Sequence, residues 1–223
     1  MSVNRKIFYE RKSEMKIVHL CLGAFFPDNY SYQENMLPKF HKKQGYDVEV
    51  IASLETFDND GKTCYYSEAK RYTNENDVLV TRLNYKSPDK FYKKLKRFSG
   101  LSQALEMAKP DILFIHNVQF LDMDKVVSYL KRNKKVKVFC DNHADFTNSA
   151  KGFVSRRILH GIIWKHCAKS IEPYTTKFYG VLPARVDFLK EVYGLPEEKC
   201  ELLVMGADDD RVSQASDPAV REA

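Results

Sequence analysis

Short apolar runs recur along this chain. Each stops at polar or turn-forming residues and hands over to a segment of helical period. KIVHLCL (16–22), DVEVIAS (47–53), DVLVTRLNY (77–85), DILFIHN (111–117), VKVFC (136–140), KFYGVL (177–182) and CELLVMG (200–206) read as strands. Helical patterns fill 32–45, 89–109, 122–133, 155–169 and 183–194. DILFI is continuously apolar rather than alternating, which marks a strand covered on both faces. Strands that alternate with helices in this way give a parallel sheet, so the expected architecture is a Rossmann-like α/β fold with helices on both faces.

Local signals refine the pattern. Asp122 is placed to cap the helix over 122–133, and Pro183 and Gly194 bracket the one over 183–194. Pro38 is expected to kink the first helix or delay its start, and Ser99-Gly100 is a weak point in the second helical pattern, at 89–109. Residues 54–77 are polar and rich in Asn, Asp and Tyr, so a long loop or a hairpin excursion is expected there. Residues 1–14 are charged, lack an apolar core and read as an extension rather than a signal peptide. The folded domain is expected over 15–207, with 208–223 as a polar linker or truncated boundary.

Several function classes drop away. No apolar run reaches the ~18–20 residues that a membrane span needs. The five cysteines (21, 64, 140, 167 and 200) include no C-x-x-C pair, so reduced thiols in a cytoplasmic protein are expected. Neither G-x-G-x-x-G nor G-x-x-x-x-G-K-[ST] is present. The net charge of +6 favours anionic partners without demanding them. KFYKKLKRF (90–98) reads as a solvated basic face whose functional alternative is docking to anionic lipid headgroups. No nucleic-acid module appears.

In an open parallel sheet, ligands bind beyond the carboxyl ends of the strands. Three polar clusters fall there: Gly23, Asp28, Asn29, Ser31 and Tyr32; His116, Asn117 and Gln119; and Asp141, Asn142, His143 and Asp145. They are expected to share one crevice. His143 is the leading candidate for chemistry. His19 lies inside a strand and reads as a core histidine; His160 and His166 are six apart on a helix and do not share a face. Asp141, His143, Asp145 and His116 also offer metal-type donors, which leaves a metal-dependent hydrolase as an alternative.

In order along the chain, these pieces resemble the N-terminal half of a GT-B glycosyltransferase of family 4. MKIVHLCLGAFFPDNYSYQENMLPKFHKKQGYDVEVIAS is similar to that family's first strand, glycine loop, first helix with its Glu, and second strand. KPDILFIHN, FCDNHADF and VLPARVDFLKEVYGLPEEKCELLVMGADDD are similar to later segments, and the resemblance covers roughly 15–210. It implies an acceptor-binding domain of a retaining enzyme that moves a sugar from a nucleotide-sugar to a glycan or lipid-linked acceptor, with no obligatory metal or cofactor. It also implies His143 as the catalytic histidine, Gly23 and Ala24 as a donor phosphate loop, and Asp28, Asn29, Tyr32, His116, Asn117, Asn142 and Asp145 as acceptor-binding residues. Contact with the inner membrane face is a further expectation. The family's paired glutamates eight apart have no match here, so the donor lobe is expected outside this chain. A noncatalytic binding subunit of a two-chain transferase is the second alternative.

Overall fold

The computed structural model describes residues 15–58, 60–86, 95–150, 152–206 and 208. Strand β1 (Lys16–Cys21) lies at the centre of an eight-stranded sheet. Its alternate side chains face two layers: Val18 and Leu20 join one apolar cluster, Cys21 the other. A loop leads into helix α1 (Gln33–Lys43), then β2 (Asp47–Ala52) pairs parallel to β1. A small antiparallel hairpin, β3 (Glu55–Phe57) with β4 (Thr63–Tyr65), follows. β5 (Arg71–Thr73) forms an antiparallel edge on β6 (Leu79–Arg82). The polar excursion at 54–77 is thus a hairpin plus an edge strand.

The chain then crosses back. Helix α2 (Leu101–Ala108) leads to β7 (Ile112–His116), α3 (Met123–Arg132) to β8 (Lys137–Asn142), and a long helix to β9 (Thr175–Gly180). That helix winds as a π-helix over Ser155–Trp164 and continues as α4 (Lys165–Ile171). Helix α5 (Pro183–Glu191) and β10 (Cys200–Leu202) complete the described fold. The sheet order is β10-β9-β8-β7-β1-β2-β6-β5. Strands run outward from β1 through β2 to β6, then resume from β7 on its other side, so the order reverses between β1 and β7. That reversal opens a crevice at the strands' carboxyl ends.

The larger cluster packs α2, α3, α4 and α5 against one sheet face through Leu101, Leu105, Val126, Ala168, Phe188 and their neighbours. Each fully buried Leu or Phe there contributes on the order of 1.5–3 kcal/mol of transfer free energy. The other face carries α1 beside Val48, Val50, Ala52 and Val80. Past α1 this face forms an open groove of about 310 Å³, lined by Ile112, Phe114, Phe139 and Tyr179.

Four local expectations change. Helix α1 runs through Pro38 rather than starting after it; there proline gives up the i→i−4 bond to the Glu34 carbonyl. Of the pattern at 89–109, residues 89–94 lie outside the described residues; a break at 96–100, where Gly100 adopts φ 79° and Phe98 bridges to Tyr85, precedes the helix that starts at Leu101. Within KFYKKLKRF only 95–98 are described. There Lys96 turns inward to the Gly23 carbonyl (2.9 Å) and Arg97 pairs with Asp122 (3.0 Å), so this part is not a solvated face. Asp122 stands before α3 but makes no side-chain cap bond; its Oδ2 accepts the Phe98 N–H at 2.6 Å and the Lys125 ammonium at 2.8 Å.

Candidate functional site

Because β1, β7 and β8 are neighbours, the turns after them meet at the crevice. His116 ends β7, and Asp141 and Asn142 end β8. His116 Nδ1–H donates to Asp141 Oδ2 at 2.6 Å, and the Asn117 N–H donates to Oδ1 at 3.0 Å. Asn117 reaches this position with a left-handed φ of 65°. His143 places Nε2 3.5 Å from Asp141 Oδ1 and 3.5 Å from Glu34 Oε1. One imidazole nitrogen therefore stands between two carboxylates.

Burial works to raise the Asp141 pKa, but the imidazoles of His116 and His143 outweigh it and hold the carboxyl well below its usual range. Burial likewise works to lower the His143 pKa; Asp141, and after it Glu34, raise it above the ordinary histidine value. The pair is thus an aspartate with an imidazolium-favouring histidine. A cationic ring edge at a crevice is suited to stabilising charge that develops on a substrate.

Behind His116 lies a file of rings. His19 Nδ1 is 2.9 Å from His116 Nε2, and His19 Nε2 is 3.0 Å from His41 Nδ1. Since His116 spends its Nδ1 proton on Asp141, its Nε2 accepts from His19 Nδ1–H, and His19 Nε2 in turn accepts from His41 Nδ1–H. This sense of donation makes His19 and His41 the Nδ1–H tautomer. Burial, then repulsion from its neighbouring imidazoles, pushes the His19 pKa well down. The same two effects bring His41 to about 4. His19 is the core histidine expected from its strand position, yet both nitrogens are committed to this file.

The other sequence candidates have defined places. Gly23 packs against the β7 turn: a Cβ there would lie 2.3 Å from the Asn117 carbonyl oxygen. Glycine is required by that backbone contact. Ala24 is buried beside it. Asp28 Oδ2 accepts from Tyr72 (2.6 Å) and Tyr66 (2.8 Å) and stands 3.4 Å from the buried Arg82 guanidinium, so it joins a structural ion pair. Asn29, in a left-handed turn at φ 64°, gives its N–H to Glu75. Tyr32 is exposed at the start of α1 and stacks with Tyr30 at 5.6 Å. Asn142 turns inward to the Ala144 and Arg185 carbonyls. Asp145 organises its own turn by accepting from Thr147 and Asn148, with Arg185 at 3.3 Å. Burial opposes its ionisation, but those bonds bring its pKa down to about 2.

The crevice thus gathers Gly23, His116, Asn117, Asp141 and His143, while Asp28, Asn142 and Asp145 serve the scaffold around it. Glu34 and the His19–His41 file were missed in the sequence. Glu34 stood in view in the first-helix motif, but no spacing linked it to His143. Among the described residues no group of three or more His, Cys, Asp or Glu side chains is arranged to hold a metal ion. The donors considered for one are spent on each other: His116 on Asp141 and His19, Asp145 on its turn.

No protein-family model matches the sequence, and no curated protein matches it. Solved structures do. Sucrose-phosphate synthase from Thermosynechococcus elongatus matches with a TM-score of 0.56 and 13% identity, over 92% of this chain and 53% of that one. A second structure of the same synthase matches with a TM-score of 0.52 and 10% identity, over 93% of this chain and 98% of that one. A structure of trehalose-6-phosphate synthase matches with a TM-score of 0.50 and 12% identity, over 91% of this chain and 52% of that one. The chain spans about half the length of the first and third of these. At such identities the likeness is one of architecture: the chain has the Rossmann-like α/β fold of the GT-B glycosyltransferases.

Proposed function

We propose that this chain is the acceptor-binding domain of a retaining glycosyltransferase that moves a sugar from a nucleotide-sugar to a glycan or lipid-linked acceptor in the cytoplasm. The observation that carries the reading is the meeting of the Gly23 turn, His116 and the Asp141–His143 pair at the crevice where strand order reverses. The fold it shares with sucrose-phosphate synthase and trehalose-6-phosphate synthase supports it.

In this reading His143 is the residue that touches the transferred sugar. Sugar transfer builds positive charge on the ring and negative charge on the departing diphosphate. Asp141 holds His143 in its charged form, and the imidazolium edge donates to a sugar hydroxyl or to the leaving group. Glu34 shares the same nitrogen and limits the ring's freedom. The Gly23 turn meets the donor phosphates, with the Lys96 ammonium held beside it on the Gly23 carbonyl. Tyr32 and the neighbouring Tyr30 offer flat apolar surface to an acceptor sugar. The larger part of the donor site belongs to a second lobe outside these residues, so this chain alone binds donor weakly and transfers little.

The test is an NMR titration of the 223-residue chain with UDP-glucose, UDP-N-acetylglucosamine and GDP-mannose. Weak binding, with a dissociation constant on the order of 1 mM, should move the His143 and Gly23 resonances. In His143→Ala the chain stays folded and the shifts shrink at least threefold. If none of the three donors perturbs these residues at millimolar concentration, or His143→Ala leaves the shifts unchanged, the assignment is wrong.

A further inference from the structure

The helix that follows the crevice loop shows an unusual face. Phe153, Val154, Ile158 and Ile162 are 76%, 61%, 45% and 64% exposed. At α-helical spacing Val154, Ile158 and Ile162, four residues apart in turn, would share a face and Phe153 would be rotated off it. Over Ser155–Trp164 the winding is π-helical, with i→i+5 bonding. Residues four and five apart then stack on one side, which aligns Phe153 and Val154 with Ile158 and Ile162. Their common exposure agrees with that alignment. Scattered exposed apolar residues need no explanation, but a row of four on one helix face does.

The charge around the row has one sign. Between Asp145 and Glu172 the sequence contains no acidic residue, and it contains Arg156, Arg157, Lys165 and Lys169. Both arginines are exposed; the Arg157 guanidinium lies 5.9 Å from the Phe153 ring and that of Arg156 5.2 Å from the Phe146 ring. An apolar strip with arginines along its flank is the arrangement of a helix that lies in the plane of a lipid interface, where aliphatic and aromatic groups enter the acyl boundary and cations meet headgroup phosphates. A partner protein at this helix would meet the same four apolar side chains, but nothing requires it to be acidic throughout; an anionic membrane is.

We propose that the helix from Phe153 to Lys169 docks this protein onto an anionic bilayer, with Phe153, Val154, Ile158 and Ile162 inserted and Arg156 and Arg157 at the phosphates. The helix begins eight residues beyond Asp145, at the far end of the crevice loop, so docking sets the crevice close to the lipid surface. The inference stands on this surface alone and does not depend on sugar transfer.

The experiment is co-sedimentation of the full chain with vesicles of phosphatidylcholine alone and of phosphatidylcholine with 30% phosphatidylglycerol (about one anionic lipid in three). The expected result is binding to the anionic vesicles only, weakened at least tenfold by Phe153→Ser with Ile162→Ser, and at least fivefold by Arg156→Glu with Arg157→Glu. Both variants change exposed side chains, and far-ultraviolet circular dichroism checks that they fold. Absence of binding to anionic vesicles, or equal binding by the apolar variant, overturns the proposal. Light scattering provides the remaining arm: a dimer that the Phe153→Ser, Ile162→Ser variant dissociates would assign the face to a second copy of the chain and overturn the membrane assignment.

Discussion

His143 Nε2 and Asp141 Oδ1 stand 3.5 Å apart in a pocket where the aspartate has no exposed surface. The aspartate is anchored by His116 and by the Asn117 N–H, whereas the histidine depends on the aspartate for its charge. Asp141→Asn should therefore lower the His143 pKa toward or below the ordinary histidine value, read from ring proton shifts in an NMR pH titration. It also leaves His116 without its anionic acceptor. Breaking a buried charged pair on one side typically costs about 3–5 kcal/mol, measurable by urea unfolding. An unchanged His143 titration would separate the two residues.

Stability should fall on both sides of a mildly acidic optimum. His143 has a folded pKa above its unfolded value of about 6.5, so its contribution is full below that value and is lost as pH rises through the folded pKa. His19 and His41 are shifted the other way: the unfolded chain binds their protons first, so stability declines as pH falls from about 6.5 through the folded value of about 4 for His41. Asp141 adds a further loss at still lower pH, as its depressed pKa is approached. Denaturant midpoints recorded from pH 4 to 9 test this, and His41→Gln should flatten the acid limb. A midpoint that is level between pH 6.5 and 4.5 contradicts the lowered His19 and His41 pKa values.

Gly23→Ala should destabilise the chain even without a ligand. The added methyl group would lie 2.3 Å from the Asn117 carbonyl oxygen, against backbone on both sides. Overpacking of this kind costs about 1–3 kcal/mol, and thermal unfolding reads it directly. A neutral substitution would mean that the two turns stand further apart.

Asp28→Ala should act through Arg82 rather than through sugar binding. Arg82 has no exposed surface, and its guanidinium also donates to the Phe26 carbonyl at 2.7 Å and the Ser53 carbonyl at 2.9 Å. Those carbonyls keep part of its hydrogen bonding, so the loss should fall at or below the about 3–5 kcal/mol of a broken buried pair. Donor-induced shifts at His143, measured on the fraction still folded, should be unaltered.

Strand and helix alternation made the architecture legible, because continuous runs such as DILFI leave few alternatives to a parallel sheet. The rim position of His116, Asp141 and His143 was also readable, since each sits at the end of such a run. What stayed hidden depends on three-dimensional neighbours. Nothing in the spacing of His19, His41 and His116 announces a hydrogen-bonded file; it forms because β1, β7 and α1 happen to stack those rings. Asp28 looked like a binding residue because it follows a strand end, yet its partner Arg82 lies 54 residues away. Residues 89–109 carried a helical period throughout their length, and the break at Gly100, in its left-handed conformation, precedes the described helix from Leu101.

The contact between Gly23 and the Asn117 carbonyl has a consequence for how the crevice moves. One turn rests on the other with no side chain between them to yield, and Asn117 is bonded through its own N–H to Asp141. A molecule that pressed on the first turn would therefore bear directly on the residue whose N–H anchors the aspartate.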